Sequence, residues 1–496
     1  MRAALTLLAT FVLAGLMHGR IDNVDPAPQG IVMPAPDPVD VVIELWRAAG
    51  FDDAGLRDLT FTGAEPVLPS SFAVSTAAQA TIGASALAAA ELWRLRTGRR
   101  QNVRVAMRDA AIEFRSERYL RIDGNEPDDH HDQIAGLYRC GDGRWARLHT
   151  NLPHHCNGLL ELLGCDHDKA AVQRALDGWQ AEALEDAAVE AGLVVTACRS
   201  FAEWDRHPQG LAIAQLPLFS IEKIGDAPPK KLEAAERPLS GVKVLDLTRI
   251  IAGPVCGRTL AAHGADVLLI TASHLASMLP LVVDTGRGKL SAAIDLDEAG
   301  GRHRLAALAR DADVFVQGYR PGALAARGFG PNDLARLRPG IVYASLCAYG
   351  SDGPWALRRG FDSLVQTASG LNLAEAEAFA ASEPKPLPAQ VLDHATGYLL
   401  AFAVIAALRR RAIEGGSWHV RLSLAQTGFW LRRLGRIDGM KCPDPGFDEV
   451  ADRLEETASG FGRLTVVRHA AEMSETPTNW ARPSVPLGTD AAAWPR

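Results

Sequence analysis

The chain has 496 residues, a formal net charge of −7, 47% hydrophobic residues and 22% charged ones. That length predicts two to four domains, and the composition is that of a globular protein with a sizeable core. Acidic and basic residues are interspersed, so no nucleic acid and no membrane surface is expected as a partner.

Arg2 followed by the apolar run Ala3–Met17 has the outline of a secretory leader. It is short for a membrane span, and no small-residue cleavage site follows it. Residues 1–35 are therefore read as a leader or a start assigned too far upstream, ending in loop. The seven cysteines are scattered, odd in number and without C-x-x-C spacing, which suits a reducing, cytoplasmic setting. Helical periodicity begins at Val41–Ala49, and a long small-residue helix is predicted from Ala77 to Leu95. Asp142–Gly164 predicts a strand, a loop and a short helix. A helix over Trp179–Ala191 and a strand over Leu193–Cys198 follow. DAPPKKLEAAERP (226–238) has the Pro and charge content of a linker.

A second unit opens at PLSGVKVLDLTRIIAGPVCGRTLAAHGADVLLI (238–270). It predicts a strand (Val242–Leu247), a Gly-Pro turn, a helix from about Val255 and a strand (Asp266–Ile270), a βαβ start. Gly253, Gly257 and Gly264 do not make G-x-G-x-x-G, and Thr271-Ala272 stand where an acidic ribose ligand would close the second strand. A nicotinamide enzyme is thereby disfavoured. Strands at Ser291–Leu296, Ala312–Gln317 and Ile341–Gly350 alternate with helices at Glu298–Arg310, Pro331–Leu337 and Thr396–Arg411. This alternation predicts an α/β fold, a doubly wound parallel sheet of Rossmann-like type with a smaller α+β domain. The expected boundaries are 36–230 for a truncated first copy with its small domain, 231–440 for the catalytic half, and 441–496 for a tail packed on the domain. The word "copy" rests on a repeat: Thr81–Met107 parallels Tyr398–Leu424 at constant offset, with Gly98 matching Gly415, Val103 matching Val420 and Arg104 matching Arg421.

Five ordered motifs carry a resemblance: PLSGVKVLDLTRIIAGP; the entry to SAAIDL from Gly286; ADVFVQGYRPGALAARGFG; RPGIVYASLCAYGSDGP; and LDHATGYLLAFAVIAAL. Together they resemble the family III CoA-transferases, the group that includes formyl-CoA transferase and α-methylacyl-CoA racemase. The resemblance implies that an acyl-CoA and a carboxylic acid are the substrates, with coenzyme A a substrate rather than a cofactor, and that the chain forms a homodimer. It places the nucleophile at Asp393, just before the apolar helix. A helix N-terminus there is expected to favour an ionised carboxylate, and such a group can attack a thioester carbonyl. The matching position of the first copy is Thr76, which implies one active site per chain. The resemblance puts Ile250, Ile251 and Ala252 against CoA through the first loop, Lys289 and Arg359 near its phosphates or pantetheine, and Tyr319 near its adenine or pantetheine. The basic residue usual in the GAL-x-R turn is displaced, with Ala326 at its position and Arg327, the candidate CoA contact, next to it. The N-terminal small domain is expected to serve the C-terminal site, within the chain or across a dimer.

Phe361 stands where the racemase branch carries a histidine, so racemisation is disfavoured and Asp362 is read as support for the site. His149, His154, His155, Cys156, Cys165 and His167 fit no zinc-finger spacing, and no metal is expected. Two other functions stay open: a CoA-binding pseudoenzyme or hetero-oligomer subunit, and a racemase or lyase relative.

Overall fold

Pro38–Ala48 forms α1, started by Asp37, whose carboxylate accepts the Val39 N–H. The computed structural model describes residues 35–128 and 131–495, so the expected leader or misplaced start lies outside the described residues except at its last position. Strand β1 (Leu59–Thr62), helix α2 (Val74–Thr97), strand β2 (Val103–Ala106) and helix α3 (Met107–Glu113) follow. A small α+β unit then contains β3 (Gly136–Arg139), β4 (Trp145–Leu148), α4 (Pro153–Leu163) and β5 (Val195–Ala197). Its three antiparallel strands cover a separate core that includes Ile134, Leu148, Leu159, Val172 and Leu184.

After β6 (Phe219–Gly225), the second half runs β7 (Lys243–Leu247), α5 (Ala252–Ala262), β8 (Asp266–Thr271), β9 (Lys289–Ala293), β10 (Val314–Gln317) and β11 (Val342–Cys347). Then come α6 (Asp362–Ala368), α7 (Val391–Glu414), β12 (Ser417–Ser423) and α8 (Leu424–Arg433). Seven strands form one sheet in the order β9-β8-β7-β10-β11-β12-β6, parallel throughout except for β6, which lies antiparallel on β12. The molecule is thus mixed α/β with a large, mostly parallel sheet. Chain order reverses between β7 and β10, which opens a crevice beyond the strand ends.

The repeat is visible in three dimensions. α2 and α7 are both 24 residues long and end at Gly98 and Gly415. β1 and β2 pair in parallel as β11 and β12 do. Among the described residues the first half carries this one parallel pair, closed by the antiparallel β15 (Ala471–Met473), which plays on β2 the part β6 plays on β12. Before β15 stands a hairpin, β13 (Leu454–Ser459) and β14 (Gly462–Val467). Residues 441–496, expected as a packed tail, therefore supply strands to the first half; a three-residue strand is too short for periodicity to reveal. Further along, Trp480 donates to the Arg258 carbonyl (3.0 Å) and Trp494 to the Leu308 carbonyl (3.2 Å), anchoring the end of the chain.

α2 and α7 lie side by side in the main core, and α2 is buried from Val74 to Ala90. Among the described residues α7 is the one helix long and apolar enough to cross a membrane, and that stretch is wholly buried inside the protein. It begins at Val391, five residues before the start expected from periodicity. The strand expected at Ser291–Leu296 likewise lies two residues earlier at its start, at Lys289.

Candidate active site

The crevice beyond β7–β11 is a cavity of about 440 Å³ lined by Ile250, Ala252, Tyr319, Arg320, Arg327, Arg359 and Asp393, with His154 and His155 from α4 on its far wall. The turn into it is strained. Ile250 has φ 76°, a left-handed conformation that a β-branched side chain adopts only when its surroundings force it. α5 begins immediately after this turn with no side-chain cap. A second cavity of about 420 Å³ lies on the other side of Asp393. Its walls are Glu117, Arg118, Leu120, Arg121 and His149 from the N-terminal half, and Ile251, Met278, Leu281 and Asp362 from the C-terminal half. Among the described residues, Ile250, Phe361 and Asp393 line both.

Asp393 is the third residue of α7 and 6% exposed. Its backbone N–H donates to Asp362 Oδ2 (2.9 Å), whose other oxygen accepts from the Gln366 amide. The first turn of α7 is therefore capped by a carboxylate from α6, a partner invisible to local sequence. This overturns the expectation for Asp393 itself. The helix end was expected to keep its carboxylate ionised, but burial, then the neighbouring Asp362 and Glu117 charges, hold its pKa well above the usual range. Burial also pushes Asp362 up, to about 6, against the lowering by its backbone and Gln366 donors. Glu117 reaches in from the N-terminal half and lies 3.1 Å from His394 Nε2, the next residue along α7.

The remaining expected residues divide. Ile250, Ala252, Tyr319, Arg327 and Arg359 line the first cavity, and Ile251 lines the second. Arg359 donates to the Gly192 carbonyl of the N-terminal half, and Arg327 sits 2.5 Å from Asp297 at the rim. Lys289 does not face the cavity expected to hold CoA. Its ammonium is sealed under α5, 2.8 Å from both Asp246 Oδ2 and the Pro254 carbonyl. Gly257 makes that burial possible, because a Cβ there would meet Asp246 Oδ2 at 2.3 Å and Lys289 Nζ at 2.9 Å. Lys289 is thus an internal counter-ion, at a strand position facing the helix layer.

Residues not singled out for the site by sequence are Arg249, Arg320, Glu117, His149, His154 and His155. The histidines were visible as a cluster but fit no metal spacing; what they share is the cavity walls. The His149 ring stacks on Phe361 at 4.1 Å, and burial pushes its pKa down to about 4. His155 is held at about 3 by burial and then by the neighbouring histidines. Both are neutral near pH 7 and serve as polar wall rather than charge. His149, His154 and His155 of the small α+β unit line the two cavities that meet at Asp393.

The sequence profile of CoA-transferase family III matches residues 49–230 and 239–434. An acyl-CoA transferase of Gibberella moniliformis is 32% identical over 316 residues, covering 59% of this chain and 55% of that protein. Acetyl-coenzyme A transferase nodX of Hypoxylon pulicicidum is 36% identical over 333 residues, 62% of this chain and 55% of its own. Succinyl-CoA:glutarate CoA-transferase of Mus musculus is 33% identical over 192 residues, 36% of this chain and 43% of its own. A crystal structure of Rv3272 from M. tuberculosis matches at TM-score 0.35 and 31% identity, covering 40% of this chain and 57% of that one. The chain spans about half the length of the first two curated relatives. The two segments that match the profile are the two halves that meet at Asp393, and the chain belongs to CoA-transferase family III.

Proposed function

We propose that the chain moves CoA from an acyl-CoA thioester to a carboxylic acid, with Asp393 as the nucleophile. The observation that carries this reading is the meeting of two cavities at Asp393, one beyond the parallel strands and one between the halves. The seven-stranded sheet is read as Rossmann-like and doubly wound, with the nucleotide end of CoA at the switch point between β7 and β10. The acyl group and the acceptor acid then occupy the second cavity.

In the first step an ionised Asp393 oxygen attacks the thioester carbonyl; the C–S bond breaks and CoA leaves as thiolate, giving a mixed anhydride. The thiolate attacks the aspartyl carbonyl and releases the donor acid as carboxylate, leaving an aspartyl-CoA thioester. The acceptor carboxylate attacks that thioester, forming a new anhydride, and the thiolate then attacks its acyl carbonyl. New acyl-CoA departs and the Asp393 carboxylate is restored. Burial excludes water that would hydrolyse either intermediate.

Coenzyme A is a substrate in this scheme, not a resident group. A cytoplasmic setting is part of the proposal, supported by the seven unpaired cysteines. So is a homodimer. The raised pKa of the buried Asp393 carboxyl, which works against an ionised nucleophile, is the observation that favours the second reading, a CoA-binding protein without turnover. Acyl-CoA donors incubated with a panel of carboxylic acids, with products read by mass spectrometry, decide between them. Turnover that falls at least about 10³-fold in Asp393→Asn supports the transferase. Turnover untouched by that substitution overturns the mechanism.

A further inference from the structure

Asp132, Cys156 and His167 come from three separate pieces of the small domain: the loop before β3, helix α4, and the turn beyond that helix. Their donor atoms converge. Asp132 Oδ2 lies 2.8 Å from His167 Nε2 and 3.6 Å from Cys156 Sγ. The other carboxylate oxygen, Oδ1, is already engaged by the Ile134 N–H (3.0 Å) and the Thr150 hydroxyl (2.8 Å). The Asp132 N–H donates in turn to Asn151 Oδ1 (3.0 Å). The carboxylate is thus oriented by one oxygen and offers the other to an imidazole and a thiol, the outer-sphere arrangement that fixes a monodentate metal ligand.

We propose that Asp132, Cys156 and His167 bind a divalent transition metal of zinc type, with water or a fourth donor completing a tetrahedron. Mixed oxygen, nitrogen and sulfur donors select such an ion over magnesium or calcium. Ordinary zinc bond lengths of about 2.0 Å to oxygen and nitrogen and 2.3 Å to sulfur require an O···N spacing of about 3.3 Å and an O···S spacing of about 3.5 Å. The O···S spacing already meets this. The O···N spacing needs a few tenths of an ångström of opening, and the His167 side chain, 44% exposed, has room to give it. On binding, the metal displaces the thiol proton, and the sulfur coordinates as thiolate.

Occupancy would act on the active site through the chain. Asn151 and His131 line the second cavity, while His154 and His155, on the helix that carries Cys156, line the first. The metal clips the loop to that helix and stiffens both walls. The sequence conceals the site because Asp132 lies 24 and 35 residues from its partners and belongs to no finger spacing.

The test uses cobalt(II) alone on the whole folded protein. One cobalt per chain, with a thiolate-to-cobalt charge-transfer band and the intense visible bands of a four-coordinate ion, is the expected result. Zinc should displace it, and Cys165→Ser should leave the spectrum intact. Both Cys156→Ser and His167→Ala should abolish the charge-transfer band or weaken cobalt binding at least tenfold. Should the buried Cys156 variant fail to fold, the half-exposed His167 variant decides, with its fold checked by circular dichroism. No thiolate band in the folded wild type, or a band unchanged in His167→Ala, overturns the proposal. None of these readouts depends on CoA-transferase activity.

Discussion

Asp393 and Asp362 are two carboxyls with unequal partners. Asp362 accepts the Asp393 N–H and the Gln366 amide, whereas among the described residues no donor reaches the Asp393 side chain. The Asp393 carboxyl is therefore the harder of the two to ionise, its pKa raised by burial and then by Asp362 and Glu117. A nucleophile must lose its proton, so kcat/KM should rise with pH through a limb above the ordinary carboxylate range. Asp362→Asn removes the nearest charge yet keeps an acceptor for the Asp393 N–H, and should move that limb to lower pH in a pH–rate profile. The same shift has a consequence for stability. A carboxyl with a raised folded-state pKa contributes stability below the unfolded pKa and loses it as pH rises through the folded one. Asp393→Asn should accordingly melt at the same temperature as wild type or higher near neutral pH, while losing turnover. Thr76 is the third residue of α2 as Asp393 is of α7, and its N–H donates to Glu65 (2.7 Å) as that of Asp393 does to Asp362. Glu65 is itself raised by burial. Thr76→Asp should cost about 1–3 kcal/mol in denaturant unfolding, as a second buried carboxyl without a counter-charge, and should add no second active site.

Among the elements, the crossing of α5 and α7 sets the geometry at the nucleophile. A Cβ on Gly397 would meet the Ala252 carbonyl at 2.6 Å and Val255 Cβ at 2.7 Å, so the helices touch backbone to backbone one turn beyond Asp393. Gly397→Ala should cost about 1–3 kcal/mol by overpacking and depress kcat as well, since it pushes the strained Ile250 turn away from Asp393. Sequence motifs made α5 and α7 predictable, but not their contact. Similarly, apolar periodicity started α7 at Thr396 because its true cap, Asp362, arrives from another helix. Glu117 ties that same first turn to the N-terminal half through His394. Glu117→Ala should lower kcat on the order of 10–100-fold through misplacement of the nucleophile, with KM moved less; Glu117→Gln, which keeps a hydrogen-bonding oxygen, should recover part of the loss. Steady-state kinetics on the two variants separate positioning from a general loss of fold.

At the scale of the whole molecule the two halves are reciprocal. β6 leaves the first small domain to close the second half's sheet, and β15 leaves the C-terminal hairpin to close the first half's. The second half was legible in the sequence because strand–helix alternation and the five motifs are local signals: Pro331–Leu337 has the predicted bounds, and β7, β8 and β10 differ by one or two residues at an end. β1, β2 and β15 were not, since they are only three or four residues long and β15 reaches β2 from the far end of the described chain. The site shows the same division. Asp393, Tyr319 and the first loop were readable from motifs, whereas Lys289 looked like a ligand contact because a sequence does not show which face of β9 its side chain takes. Glu117, His149 and His155 were missed as site residues because they belong to the other half. The central claim, one nucleophile per chain at Asp393, is tested most directly by trapping. The protein is incubated with acyl-CoA, quenched with borohydride or hydroxylamine, and digested for mass spectrometry. A single modified carboxyl on the peptide containing Asp393, at no more than one per chain and absent from Asp393→Asn, is the predicted result; turnover of acyl-CoA with no such adduct, or with the adduct on another carboxyl, would contradict it.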